Sequence, residues 1–185
     1  MTDGRTGQTR RALLQAGGLL LAGIALPCAT RAAGVVEIRM RSDPQGATVW
    51  FDPIGLWLPP GQTVRWVVAA NVHTTTAYHP KNANHSLRIP EGATPWDSGY
   101  LVQPGAHFEV TLTVEGVYDY FCLPHEAAGM VGRIVVGQPA GPGTLPFDYF
   151  TGRPGTENWL PVPEAAQKVF PSVAAIMAQK IIHRG

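Results

Sequence analysis

In Gln62-Thr-Val-Arg-Trp-Val-Val68 an extended chain sets Val64, Trp66 and Val68 on one face, which predicts a half-buried strand. Val35-Val-Glu-Ile-Arg-Met-Arg41 alternates in the same way. The turn Asp43-Pro-Gln-Gly46 separates it from a second strand at Ala47–Phe51, which Asp52-Pro-Ile-Gly55 breaks. Leu56-Trp-Leu58 then runs into the turn Pro59-Pro-Gly61. Further β runs are His73–Tyr78, His107–Val114, Val117–Phe121 and Val131–Val136. Short strands between turn signals, with no helical period among them, predict a β-sandwich or barrel.

Two regions depart from that pattern. Pro80–Gly99 is a long polar excursion with one candidate short strand at Ser86–Ile89, and loops of such length are usually specialised. Beyond Gly137, Gln138-Pro-Ala-Gly-Pro-Gly143 reads as a linker, followed by an aromatic segment through Tyr149, Phe150 and Trp159. Pro163–Phe170 and Pro171 to about His183 read as helices with proline in the first turn. Val173, Ile176, Met177 and Ile181 form one apolar stripe, expected to dock on the protein's own surface.

The chain of 185 residues has room for one domain with a real core plus extensions, and its 15% of charged residues with 21 Gly and 17 Pro favours turn-rich β structure. Residues 1–33 stand apart. Arg10-Arg11 precedes the apolar run Ala16–Leu26 and then small residues, the layout of a secretory leader resembling the twin-arginine type. That run is short of the roughly 20 residues a permanent span needs. Cleavage after Ala32 or Ala33 is expected, and Pro27 before Cys28 departs from a lipid-attachment pattern. The expected organisation is a leader over 1–33, a β domain over 34–138, and a linker with a helical extension over 139–185. Without residues 1–33 the formal charge moves from +1 to −2, which is no nucleic-acid footprint.

If Cys28 leaves with the leader, Cys122 is the only cysteine of an exported protein and has no disulfide partner within the chain. A thiolate held by a metal is one state in which it persists in an oxidising compartment. Its surroundings fit that role. Cys122-Leu-Pro-His125-Glu-Ala-Ala-Gly-Met130 places a thiolate, an imidazole and a thioether within nine residues, just after a strand. With one more histidine these are the donors of a blue-copper site: thiolate and imidazoles in a plane, thioether weakly axial. His73, His79 and His85 all lie upstream.

Several ordered blocks carry a wider resemblance: Phe51-Asp-Pro-Ile-Gly-Leu-Trp-Leu-Pro-Pro-Gly-Gln-Thr-Val-Arg-Trp66, Val72-His73-Thr74, Trp96-Asp-Ser-Gly99, Gly116-Val-Tyr-Asp-Tyr-Phe-Cys122 and Met130-Val-Gly-Arg-Ile-Val-Val136. Over roughly residues 35–137 the chain resembles the cupredoxin family, in its plastocyanin, amicyanin and pseudoazurin branch. The resemblance implies a Greek-key β-sandwich or barrel and one copper ion bound by His73, Cys122, His125 and Met130. It also implies single-electron transfer with transient redox partners docking at the apolar edge of His125, and it implies no substrate chemistry. Departures are visible. Thr74 stands where the family often has asparagine, Phe121 where plastocyanins have tyrosine, and the Tyr78–Trp96 segment is long. The extension beyond Gly137 lies outside plastocyanin, although pseudoazurin-like proteins carry helices there.

The expected protein is therefore an exported, periplasmic-type carrier with no permanent membrane span and no nucleic-acid partner. Copper delivery without electron transfer is the alternative, but it favours exposed Met- and His-rich sites, and only Met40, Met130 and Met177 remain after residue 33. A copper enzyme needs a second metal centre or a second domain, for which the chain is short. A redox-silent sandwich leaves Cys122 unexplained.

Overall fold

The structure is a computed structural model that describes residues 34–184. The expected leader over 1–33 lies outside the described residues. Eight strands build the sandwich: β1 (Val36–Ser42), β2 (Val49–Asp52), β3 (Gly55–Leu58), β4 (Gln62–Val68), β5 (Thr76–Ala77), β6 (His107–Leu112), β7 (Gly116–Phe121) and β8 (Val131–Val136). Two short helices follow, α1 (Glu164–Gln167) and α2 (Val173–Gln179), and then strand β9 (Ile181–Ile182).

One sheet runs β2-β1-β4-β6 and the other β5-β7-β8-β3-β9. Both are mixed, because β1 pairs parallel with β4, and β3 pairs parallel with β8, while their other pairings are antiparallel. The two sheets face each other without closing into a barrel. Alternation explains the packing. Ile38 and Met40 of β1, Phe51 of β2 and Val64, Trp66 and Val68 of β4 point inward, meeting Tyr118 and Tyr120 of β7 and Ile134 and Val136 of β8. Rings contact across this core, with Phe51–Tyr120 at 4.7 Å and Trp66–Tyr120 at 5.3 Å, both edge-on.

Several expectations change in detail, the His73–Tyr78 run keeping only Thr76–Ala77 as β5 and the Pro163–Phe170 helix only Glu164–Gln167 as α1. Ser86–Ile89 forms no strand of its own. It runs as irregular chain between β7 and the extension, through Asp119 N–H to Arg88 O and Ser86 N–H to Leu160 O. The last predicted helix stops at Gln179, because Lys180 adopts a left-handed backbone (φ 66°) and the chain turns into β9 beside β3. Ile181 is thus exposed on a strand, while Ile176 is fully buried against Val117 and Val135. Val173, Ile176 and Met177 of the apolar stripe dock on the protein's own second sheet, as expected, and Ile181 does not share that face. No helix among the described residues is long and apolar enough to cross a membrane.

Candidate metal centre

Three chain segments meet at one end of the sandwich: the stretch after β4, the end of β7 and the approach to β8. Phe121 ends β7, and Cys122 then caps a 3₁₀ turn over Leu123–Ala128 with Pro124 in its first positions. Proline suits that place because its fixed φ fits the turn and its missing N–H is not needed there. Gly129 closes the turn at φ 80° and donates its N–H to Glu126 O. A side chain at Gly129 would strike Val169, 2.9 Å from the position of a Cβ, so glycine is required on both counts. The loop begins and ends in one hydrogen bond, from Cys122 N–H to Met130 O at 3.0 Å. The two-residue and four-residue spacings therefore describe one closed loop.

His73 reaches the same point from the other side of the core. Two backbone hydrogen bonds with Leu101 hold it, and its side chain is fully buried. Cys122 Sγ lies 3.3 Å from His125 Nδ1 and 3.7 Å from His73 Nδ1, with all three donor atoms within 4.8 Å of one another. Among the described residues this is the one cluster of three such donors. Met130 is fully buried and shares the core cluster with Cys122. The Thr74 N–H points at Sγ from 3.3 Å, a donor placed to stabilise a thiolate.

Thr74 also answers the question raised by the missing asparagine. Its hydroxyl accepts the Leu123 N–H at 2.8 Å, tying the His73 segment to the Cys122 loop, and it lies 3.1 Å from the Thr76 hydroxyl. Ser42, the last residue of β1, had no signal in the sequence. Its hydroxyl sits 3.3 Å from His73 Nε2, and the tautomer that donates Nε2–H to it leaves the Nδ1 lone pair facing Sγ. Thirty-one residues separate the two, so only the β1–β4 pairing reveals the contact.

Burial sets the protonation of the metal-free cluster. Burial first, and the neighbouring His125 second, lower the His73 pKa to about 4. Burial lowers that of His125. Burial raises the Cys122 thiol to about 11, against the opposing pull of Thr74. At neutral pH the cluster is two neutral imidazoles and a thiol, so a metal ion must displace the thiol proton to gain its thiolate. The donor set of one soft sulfur and two converging imidazole nitrogens fits copper.

The other histidines lie elsewhere. His79 Nδ1 accepts the Lys81 N–H at the start of the long loop, His107 is exposed on β6, and His183 pairs with Asp52. His85 is buried, with Nε2 3.1 Å from a Glu126 carboxylate oxygen. Burial opposes its protonation, but Glu126 and the Asn82 carbonyl outweigh that and raise its pKa.

Residues 38–137 match the sequence profile of a family described as copper binding proteins, plastocyanin/azurin family. The chain is 32% identical over 130 residues to the chloroplastic plastocyanin of Tetradesmus obliquus, covering 66% of this chain and 79% of the relative. It is 30% identical over 129 residues to the pseudoazurin of Methylorubrum extorquens, covering 69% and 77% respectively. Among solved structures, the pseudoazurin of Methylobacterium extorquens AM1 superposes with a TM-score of 0.54, over 79% of this chain and 98% of the other. At 23% identity that likeness concerns the fold alone.

Proposed function

From the premise that the chain belongs to the plastocyanin/azurin family of copper-binding proteins, we propose that it carries single electrons, with one copper ion held by His73, Cys122, His125 and Met130. The observation that carries this reading is the convergence of Cys122 Sγ and two imidazole Nδ1 atoms within 4.8 Å in a buried pocket. Copper bound there would supply a Cu(I)/Cu(II) couple. The protein's part is to hold the donors still, through the closed Cys122–Met130 loop and the Thr74 bridge, and to exclude water by burial. Four protein donors leave no open position for a substrate, which favours a carrier over an enzyme.

His125 is the one imidazole of the pair that reaches solvent, and we assign it as the electron port. Exposed apolar side chains flank the two histidines: Val72, Tyr100 and Val102 on the His73 side and Leu123 beside His125. Within residues 70–74, 99–103 and 122–130 the sole acidic or basic side chain besides the two histidines is Glu126, and its carboxylate is bonded inward. Phe121 offers no second route, being buried beneath Tyr78, Val162 and Ala166. Redox partners are therefore expected to dock through a small apolar contact, with rates that change less than about twofold from low to high salt. The leader-like residues 1–33 extend the proposal to export, with residues 34–138 as the copper domain and 139–185 as its extension.

The test is the visible absorption of copper-loaded protein, with Cys122→Ser as its control. An intense thiolate-to-copper band, bleached by reductant and lost in the variant, is the expected result. One tightly bound copper with no such band would sink the carrier reading and leave copper delivery in its place.

A further inference from the structure

His85 belongs to the long segment after β5, remote in sequence from the Cys122–Met130 loop, yet its side chain touches that loop and the residue just before it. Its ring stacks on Phe121 at 4.4 Å between centroids and 30° between planes. Its Nε2 lies 3.1 Å from Glu126 Oε2, and its Nδ1 lies 2.7 Å from Asn82 O. A carboxylate and a carbonyl can only accept, so the imidazolium form alone makes both bonds at once. The other Glu126 oxygen accepts the Tyr78 hydroxyl at 2.7 Å. Both oxygens of this half-buried carboxylate are thus engaged by the segment Tyr78–His85.

The positions of the two contacted residues matter most. Phe121 directly precedes Cys122, and Glu126 directly follows His125. One side chain therefore grips the chain just before the sulfur donor and just after the solvent-reaching imidazole. Among the described residues the 3₁₀ turn between them has no side-chain N-cap and no buried residue of its own. Its orientation must come from outside.

We propose that His85 is a positioning residue for the donors Cys122 and His125, fixing the turn that carries them by stacking on Phe121 and holding Glu126 together with Tyr78. This rests on the reading of Cys122 and His125 as copper ligands. It gives the long polar segment a task, namely to make the ligand loop rigid without supplying a ligand. A rigid loop keeps donor positions similar in both oxidation states, which is what rapid electron transfer requires.

The test uses the full chain with His85→Ala, His85→Gln and Glu126→Gln, and Ile176→Ala as a control that destabilises the fold away from the loop. In the metal-free protein, amide exchange is followed at Gly129 and Met130, whose N–H groups close the turn onto Glu126 O and His125 O. His85→Ala should speed exchange there about tenfold relative to β4 amides, His85→Gln should restore most of the protection, and Ile176→Ala should leave the ratio unchanged. In the copper-loaded protein, His85→Ala and Glu126→Gln should each shift the reduction potential and the charge-transfer band, and the double variant should shift them no further than the larger single change. An unchanged exchange ratio overturns the proposal, as does a potential and spectrum identical to wild type. A wild-type protein lacking the charge-transfer band would instead overturn the carrier reading, while the metal-free exchange still decides whether His85 holds the turn.

Discussion

The two sheets of this sandwich are built from similar strands and live in different surroundings. In β4 buried and half-exposed positions alternate along the whole strand, whereas in β7 and β8 every position is buried. The inward faces are alike. The outward face of the first sheet meets water and carries polar cross-strand pairs, Thr63 with Thr111 and Arg65 with Glu109. The outward face of the second carries Val117, Asp119 and Phe121 on β7, and residues beyond Gly137 cover it. Asp119 is fully buried there between two arginines, at 2.7 Å from Arg88 Nε and 2.7 Å from Arg133 Nε. Arg88 also donates to the carbonyls of Gly143, Leu145 and Pro146, and Arg133 to that of Pro171. Buried carbonyls of an irregular segment have no ladder to satisfy them. The arginines do for the extension what neighbouring strands do for a sheet, and Asp119 offsets the cost of burying them.

That contrast gives its largest effect at the charges. Asp119→Ala leaves two guanidinium groups under the extension with no carboxylate, and should cost about 3–5 kcal/mol of unfolding free energy. Arg65→Ala removes an ion pair on the open sheet whose side chains are 39% and 38% exposed, and should cost no more than about 1 kcal/mol. Urea unfolding of both variants measures the difference. Equal losses would mean that the second sheet's cover contributes nothing special.

A somewhat smaller effect is expected where the sheets meet at the metal end. His73 takes its hydroxyl partner from β1 of the first sheet and faces Cys122 at the end of β7 in the second. In the metal-free protein its pKa is lowered from 6.5 to about 4, by burial and then by His125. The unfolded chain thus takes up a proton that the fold resists, so this contribution is present above pH 6.5 and is lost as pH falls towards 4. The loss is about 3 kcal/mol, and His125, lowered as well, acts in the same direction. His85 has the opposite sign, since its raised pKa adds stability that fades as pH rises. Unfolding free energies of metal-free wild type and His73→Asn between pH 7 and 4 check this, and parallel curves would contradict it.

The contrast between the sheets also explains what the sequence disclosed. Val64, Trp66 and Val68 are legible because their strand keeps one wet face, and a period of two then names the core side directly. Val131–Val136 is legible as a strand, but its two faces are not, since Ile134 and Val136 enter the main core while Val131 and Val135 pack under the extension. Arg88 and Asp119 look like surface residues in a linear reading, because burial of a charge depends on partners 31 residues away. The candidate metal loop is legible because Cys122, His125 and Met130 are closed into one turn by local hydrogen bonds. His73 needed the family resemblance to separate it from His79 and His85, and no local pattern marked Ser42 or the task of His85. Chemistry confined to one loop is visible in a sequence, and chemistry assembled across sheets is not.

The smallest test compares one pair of neighbours on each outward face. Thr63 and Thr111 stand directly opposite each other on the open sheet, with hydroxyls 2.8 Å apart. Val117 and Val135 stand opposite each other on the covered sheet and are both fully buried. The extension also packs tightly on Val117, because a Cβ on Gly143 would lie 2.7 Å from its Cγ1. Thr111→Ala removes one hydroxyl pair facing water and should cost about 0.5 kcal/mol. Val135→Ala removes two methyl groups from a packed interface and should cost about 2 kcal/mol, from lost burial and the small cavity left behind. If the cover were loosely attached, solvent would reach Val135 in the folded state and the two losses would converge. A difference of more than about 1 kcal/mol between them would mean that the extension is packed as tightly as the core itself.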